Sequence, residues 1–380
     1  MKLRLKELER FVPADVLEIV RTLKGAGHQA CLVGGCVRDL ILGRSPLDWD
    51  IATSAVPDLV QSLFSETVAT GKLYGTIGVP GTLRSRATRE ETLLGIEKNV
   101  RPLHQVTTFR KEGAYSDHRR PDTLVFTHQL NEDLARRDFT FNAIAYNPIE
   151  REIVDIFGGV EDLKFQTIRA VGVARDRFLE DTLRPFRALR FVAQLGFTLL
   201  PETTAAIADL APGMPLPAPE RIGAEWDKLI KGDHFLEALR GLQATGLWDR
   251  LFPTWPVAQA GAGLQAAQER LLALPRELRL AALFFERPDV EALLRQLAYG
   301  KKDIQWTLKL IENGLDPQKA ALDVHALNIK AAELIELGLH GEDIGRMQRA
   351  LLAYVKQFPS KNKRVLLLEE SKRLLALQDY

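Results

Sequence analysis

Two acids two residues apart, Asp48 and Asp50 in Leu47-Asp48-Trp49-Asp50-Ile51, follow a glycine pair in Val33-Gly34-Gly35-Cys36-Val37-Arg38-Asp39. On an extended segment, side chains repeat every two residues, so both carboxylates project from one side and Trp49 turns into the core. Two such carboxylates suit hard, oxygen-preferring Mg²⁺, which keeps waters and borrows further ligands from substrate phosphates. Gly34 and Gly35 let backbone N–H groups approach an anion, and Arg38 supplies positive charge beside them. The chemistry this combination fits is phosphoryl or nucleotidyl transfer. Alone, the glycine pair is a tight turn and the acid pair a solvated loop. The glycines form neither G-x-G-x-x-G nor a Walker loop.

The elements needed to hold these groups are legible in outline. Residues 8–26 read as a helix, HQACLVGG as a strand entering a short helix, DWDIATS as a second strand and VPDLVQSLF as an amphipathic helix. GTIGV and QVTTFR alternate as paired strands do, and TLVFTHQL continues the pattern. This βαβ-then-hairpin order predicts a small mixed sheet with helices on one face. After Gly158-Gly159 the pattern turns helical to the end, with joints at the proline-rich segments 211–219 and 252–256. The fold class is therefore α+β: a compact mixed-sheet part followed by an elongated, all-helical one.

The chain has 380 residues, room for two or three cores, and its 51 basic and 50 acidic residues nearly cancel. A polyanion-binding surface must then come from local segregation of charge. One run qualifies: between residues 346 and 364 stand Arg346, Arg349, Lys356, Lys361, Lys363 and Arg364, with no acid among them. Cys31 and Cys36 have neither the number nor the spacing of a zinc site or disulfide framework, which fits a reducing cytoplasm. No apolar run spans a bilayer, no signal peptide is apparent, and nothing calls for an obligate protein partner.

Five segments, in order, resemble the motifs of the class II tRNA nucleotidyltransferases, the CCA-adding enzymes related to DNA polymerase beta. They are LVGGCVRDLILGRSPLDWDIATSA (32–55), LARRDFTFNAIAYNP (134–148), DIFGGVEDL (155–163), RFLEDTLRPFRALRF (177–191) and ERIGAEWDKLIKG (220–232). Past residue 232 the likeness loosens. The resemblance implies a catalytic head (1–157), a nucleotide-selecting neck (158–232), a body (233–315) and a tRNA-holding tail (316–380). It also implies CCA addition to tRNA from CTP and ATP, with Mg²⁺ at Asp48 and Asp50. Gly34, Gly35, Arg38 and Arg137 would contact the triphosphate, Asp138 would orient an arginine or cap a helix, and the basic run 346–364 would grip tRNA.

The fourth motif carries the nucleotide choice in such enzymes. Asp181, Arg184, Arg187 and Arg190 recur every three residues, an arrangement expected to form one strip of a helix. Three aligned arginines repel unless something anionic or acceptor-rich lies along them. Cytosine offers N4–H to a carboxylate and N3 to a guanidinium, and adenine offers N6–H and N1 similarly. Guanine and uracil reverse the pattern and leave buried groups unpaired, at about 1–3 kcal/mol each. The resemblance implies that Asp181 and Arg184 act this way, that Arg187 and Arg190 meet sugar or phosphates, and that Glu180 belongs to the same site. The alternative is a salt-bridged surface in which Glu180 and Asp181 pair with Arg184 and Arg187.

Two features separate this chain from its likenesses. Residues 80–103 are a longer insertion than the usual hairpin, and Gln105 stands where a glutamate is usual, before VTTFR. The latter raises the alternative of a specialised A-adding enzyme. The segment 113–122, GAYSDHRRPD with His118, resembles the flexible loop used in switching from C to A and weighs against a CC-adding enzyme. A poly(A) polymerase would be expected to carry basic extensions, and a non-catalytic tRNA-binding protein to have lost the acids. No His-Asp doublet occurs, so a fused phosphohydrolase is not expected.

Overall fold

A computed structural model describes residues 7–82, 84–85, 99–113, 115, 122–255, 271 and 274–377. The chain divides into two compact units, Met1–Ala260 and Gly261–Tyr380.

The first unit opens with helix α1 (Ala14–Gly25), preceded by a 3₁₀ turn at Leu8–Phe11. The expected single helix over 8–26 is thus two pieces. Pro13 stands between them, extended and without an N–H, in the N-cap position of α1. Helix α1 buries Val16, Ile19, Val20 and Leu23, the spacing of one helical face. Strand β1 (Ala30–Val33) runs into α2 (Gly35–Ile41), and β2 (Asp50–Thr53) into α3 (Pro57–Leu63). Then come β3 (Val68–Gly71), β4 (Thr76–Pro80), the short pair β5 (Arg84–Ser85) and β6 (Asn99–Val100), and β7 (Leu103–Thr108). Strand β8 (Arg110–Glu112) pairs with β9 (Leu124–Phe126); α4 (Leu130–Ala135), β10 (Ala145–Asn147) and β11 (Glu152–Val154) follow.

Seven strands form the main sheet in the order β11-β10-β1-β2-β7-β4-β3. The sheet is mixed, as expected, but β1 and β2 are antiparallel neighbours and not a parallel βαβ pair. The seven-residue α2 is followed by an irregular return through residues 44–49 with a bend at Leu47 and Asp48, so Asp48 is not on the extended segment expected for both acids. Strand β2 starts beside the end of β1, with Leu32 opposite Ile51. A parallel crossover would instead have placed Asp50 at the far end of β1. The parallel contact is between β2 and β7, with Asp50 in register with Gln105 and Thr53 with Thr108. One sheet face buries Cys31, Val33 and Ala52 against Phe109, Leu134, Ala143, Ala145 and Val171. Both cysteines are free and buried, and burial pushes each thiol up to about 12.

The chain is then mainly helical: α5 (Gly159–Phe165), α6 (Ala174–Glu180), α7 (Arg184–Leu195), α8 (Pro201–Leu210), α9 (Pro219–Ile230), α10 (Phe235–Ala244) and α11 (Leu247–Leu251). A two-residue parallel pairing of 167–168 with 198–199 interrupts the helices. The expected joint at 211–219 lies between α8 and α9. Aromatic rings tie α7 to the 3₁₀ turn Thr140–Asn142 that precedes β10, with Phe191 edge-on to Phe139 at 5.6 Å and to Phe141 at 5.1 Å. Among its described residues the second unit has helices, turns and irregular segments but no strand: α12 (Arg279–Leu283), α13 (Val290–Gln296), α14 (Lys301–Glu312), α15 (Pro317–Ala321), α16 (Ala331–Glu336), α17 (Glu342–Gln357) and α18 (Arg364–Leu377). Leu334, Met347, Leu351, Val355 and Leu367 form one of its cores. No described helix is long and apolar enough to cross a membrane.

Candidate active site

The antiparallel return of β2 brings the glycine turn and the acids together. Gly34 has φ 74° and ψ −136°, a conformation L side chains avoid. A Cβ there would lie 3.1 Å from Arg137 Nη1 and 3.9 Å from Asp50 Oδ2. Gly35 opens α2, and a Cβ on it would meet the Arg38 guanidinium at 3.6 Å. Asp50 begins β2 and is half-buried, Asp48 is exposed just before the strand, and Trp49 between them is buried. Burial raises the Asp50 carboxyl above its ordinary range; Arg137 opposes that shift and Asp48 adds to it. Among the described residues no cluster of three or more His, Cys, Asp or Glu side chains could hold a metal ion. The acid pair therefore suits a cation that also takes water and phosphate oxygens, which is how Mg²⁺ is usually held.

From the glycine turn a chain of hydrogen bonds runs to α7. Arg38 donates through Nη1 to Asn142 Oδ1 at 3.0 Å and through Nε to Asp39 Oδ1 at 2.9 Å. Asn142 donates to Asp138 Oδ1 at 3.1 Å, and Asp138 Oδ2 accepts from Arg187 Nε at 2.9 Å and Nη2 at 2.6 Å. Asp138 does orient an arginine. Burial alone would raise its carboxyl, but Arg187, Asn142 and the Phe139 N–H together hold it far below the usual carboxylate range.

A second charge ladder reaches Asp50 from the other side. Arg110 and Arg136 both donate to Glu112, and Arg136 and Arg137 both donate to the buried Asp133. Burial would raise the Asp133 carboxyl, yet Arg137 and Arg136 pull it below its ordinary range. Between the two networks opens a cleft of about 340 Å³, lined by Tyr74, Arg110, Glu112, Tyr115, Arg136, Arg137, Asp138, Asp181, Arg184 and Arg187. That volume falls in the range of small-ligand sites. Arg137 belongs to both places: it lines the cleft, and its charge acts on Asp50.

The fourth motif is not one helical strip. Asp181 is extended (φ −135°, ψ 106°), α6 ends before it, and α7 starts at Arg184. Pro185 explains the break, since its ring would clash with the carbonyl four residues back in a continuous helix. Within α7 a three-residue step turns about 300°, so Arg187 lies about 60° and Arg190 about 120° round from Arg184. Arg190 accordingly turns away from the cleft. It donates to Glu225 Oε2 and Gln194 Oε1, both at 2.5 Å, and lies 3.7 Å over the Phe191 ring. Burial lowers its pKa to about 10 despite Glu225.

Arg184 is buried, donating to Glu180 at 2.8 Å, to the Arg177 carbonyl at 2.9 Å and to the Arg136 carbonyl at 3.0 Å. Three of its five N–H groups are thereby used. Glu180 therefore positions Arg184, as in the salt-bridge alternative, but Asp181 does not pair with it. Asp181 accepts a two-pronged bond from Arg221, at 3.1 and 2.8 Å, and the Leu183 N–H at 3.1 Å.

Arg221, Glu112, Asp133, Tyr74 and Tyr115 were not foreseen as site residues. Arg221 stands in the fifth motif, and Arg110 and Glu112 share one face of β8 by the two-residue period; those were the available signals. In the second unit Arg346, Arg349, Lys361, Lys363 and Arg364 are exposed. Arg346 pairs with Asp343 and Arg364 with Glu333, surface pairs of small value. Residues 83 and 86–98 of the insertion, and 114 and 116–121 of the segment 113–122 with His118, lie outside the described residues.

Residues 30–169 match the poly A polymerase head domain, and residues 196–257 match the family described as "Probable RNA and SrmB- binding site of polymerase A". The CCA-adding enzyme of Lactiplantibacillus plantarum is 44% identical over 257 residues, 68% of this chain and 57% of its own length. That of Geobacillus kaustophilus is 46% identical over 235 residues, 62% of this chain and 53% of its own. The chain thus spans little more than half the length of these relatives. A crystal structure of the Bacillus stearothermophilus CCA-adding enzyme in complex with CTP resembles it with a TM-score of 0.70 at 29% identity, covering 96% of this chain and 98% of that one. The Thermotoga maritima CCA-adding enzyme complexed with tRNA shares the fold, with a TM-score of 0.62 at 18% identity over 98% of each chain.

Proposed function

We propose, because this chain belongs to the CCA-adding enzyme family whose head is the poly A polymerase head domain, that it builds the 3′-terminal CCA of tRNA from CTP and ATP. The observation that carries this reading is the joining of acid pair, glycine turn and fourth motif by Arg137, which lines the cleft with Asp181, Arg184 and Arg187 and acts on Asp50. A stripe of arginines facing solvent far from the acids would have spoken against it.

Asp48 and Asp50 would hold Mg²⁺, which supplies charge neutralisation for the triphosphate and the departing pyrophosphate. Phosphoryl transfer asks mainly for positioning and charge stabilisation, so no protein nucleophile is required. Arg38, fixed by Asp39 and Asn142, and Arg137, fixed by Asp133, present cations beside the glycine turn. Arg187, fixed by Asp138, presents a third at the cleft. Asp181 and Arg184 would read the base edge, each immobilised by another residue, Arg221 and Glu180. A carboxylate offers about four lone-pair positions, so Asp181 can accept from a base N–H while Arg221 holds it. The divisions at 157, 232 and 315 into head, neck, body and tail belong to this reading, with the basic run of α17 and α18 as its tRNA contact.

The test is incorporation of each labelled nucleotide into tRNA transcripts ending in the discriminator base, C or CC. Full activity adds C, C and A in turn and stops. Incorporation of A alone onto CC-ended tRNA would assign an A-adding enzyme, and long A tracts a poly(A) polymerase. Asp50→Ala is expected to abolish incorporation while tRNA binding persists; undiminished incorporation would refute the role given to the acids.

A further inference from the structure

One neutral side chain stands between the cation beside the glycine turn and the arginines of α7. Asn142 ends the 3₁₀ turn Thr140–Asn142, is buried, and is not among the residues that line the cleft. Its amide faces a cation on one side and an anion on the other. Oδ1 accepts from Arg38 Nη1 at 3.0 Å, and Nδ2 donates to Asp138 Oδ1 at 3.1 Å. A carboxylate here would repel Asp138 and an ammonium would repel Arg38, so a group that both donates and accepts suits the place. The Phe191 ring of α7 spans the same gap, with the Arg38 and Arg187 guanidinium carbons 5.3 and 5.8 Å from its centroid. Both guanidinium groups have other anchors. Arg38 keeps Asp39, and Arg187 keeps Asp138 and Glu225. What Asn142 adds is therefore less a hold on either arginine than their placement relative to each other.

We infer that Asn142 is a positioning residue for base choice, keeping the phosphate-binding Arg38 in register with the base-reading end of the cleft. This role rests on the proposed nucleotide site and goes further by naming what aligns its two halves. Arg187, fixed through Asp138, lines the same cleft as Asp181 and Arg184. Triphosphate and base are joined in one ligand, so both are gripped at once only where the two halves are held within about 0.5 Å of the matching geometry. CTP and UTP carry the same triphosphate and sugar and differ at the base edge. Loosened register is thus felt as lost discrimination between them, while the triphosphate alone still finds Arg38.

Isothermal titration calorimetry of the protein with CTP, UTP and sodium tripolyphosphate, in Mg²⁺ and without tRNA, tests this. Asn142→Leu is close in shape but makes neither bond. It should bind tripolyphosphate within about twofold of the parent yet bind CTP about tenfold more weakly, the worth of one hydrogen bond, so that the preference for CTP over UTP falls about fivefold or more. Asn142→Ser, smaller and still polar, guards against a leucine variant that does not fold, and should lower the preference about threefold. A role in folding alone would reduce the binding fraction and leave all three Kd values unchanged. Damage to Arg38 alone would weaken all three ligands alike. Either result, or an unchanged CTP preference in a folded variant, would overturn the role of Asn142. A parent protein with no preference for CTP over UTP would instead sink the nucleotide-site reading, and this role with it.

Discussion

Asp138→Asn removes one negative charge and reverses one hydrogen-bonding atom at the junction between the segment 136–142 and α7. Its two oxygens divide their work. One accepts from the Phe139 N–H at 2.8 Å and from Asn142, and the other takes both prongs of Arg187. Asparagine can keep its carbonyl on the first pair but must then turn its NH₂ toward the guanidinium. Two charge-assisted bonds at about 1.5–3 kcal/mol each give a gross loss of about 3–6 kcal/mol. Arg187 keeps Glu225 at 3.5 Å and is 32% exposed, so water recovers part of that. The expected net cost is about 2–3 kcal/mol, below the range for a fully buried broken pair. Urea unfolding followed by fluorescence, to which Trp226, Trp248 and Trp255 of the first unit contribute, measures it. In a cycle with Arg187→Met the coupling should exceed about 1 kcal/mol, since the two act as one unit. The sign with pH follows from the depressed carboxyl. Its stabilisation is complete above the unfolded value near 4 and lost as pH falls toward the folded one, so the variant should lose less stability on acidification than the parent. A cost under about 0.5 kcal/mol, or additive single effects, would refute the assigned role.

Gly34→Ala places a side chain at φ 74° and 3.1 Å from Arg137; strain of about 1–3 kcal/mol should lower the melting temperature, and displacement of Arg137 should cut kcat/KM for nucleotide at least tenfold. Arg190→Met should destabilise by about 1–3 kcal/mol, because the buried Glu225 loses its partner at 2.5 Å and keeps only Arg187 at 3.5 Å, yet leave the KM for nucleotide within about twofold in steady-state assays; the reverse outcome would place Arg190 against substrate. Arg137→Gln removes the cation that opposes the upward shift of Asp50, so the acid limb of Mn²⁺ binding should move to higher pH; a limb that stays put or moves lower would contradict the coupling.

What could be read from the chain depended on distance along it. Gly34 and Asp50 sit in one short segment, and residue type with spacing sufficed to pair them. Their mutual placement was less legible: the segment reads equally as a parallel or an antiparallel return, and only the pairing of β1 with β2 decides it. Asp181 and Arg184 were identifiable by motif, but a three-residue recurrence disguised the break before Pro185 and the turning away of Arg190. The partners that fix their roles lie far off in sequence, Arg221 forty residues from Asp181 and Glu225 thirty-five from Arg190. Gln105 drew notice only as a departure, whereas its neighbour relation to Asp50 is a fact of strand register.

The antiparallel return also sets which parts of the chain are free to vary. Because Gly34 and Asp50 are each anchored by β1 and β2, the segment between α2 and Asp48 behaves as a slack tether whose length is immaterial to the spacing of its ends. Inside β2 the opposite holds. Shifting that strand by a single residue would drive Asp50 into the hydrophobic layer and swing Trp49 or Ile51 out into its place. Lengthening is thus harmless on one side of Asp48 and ruinous on the other.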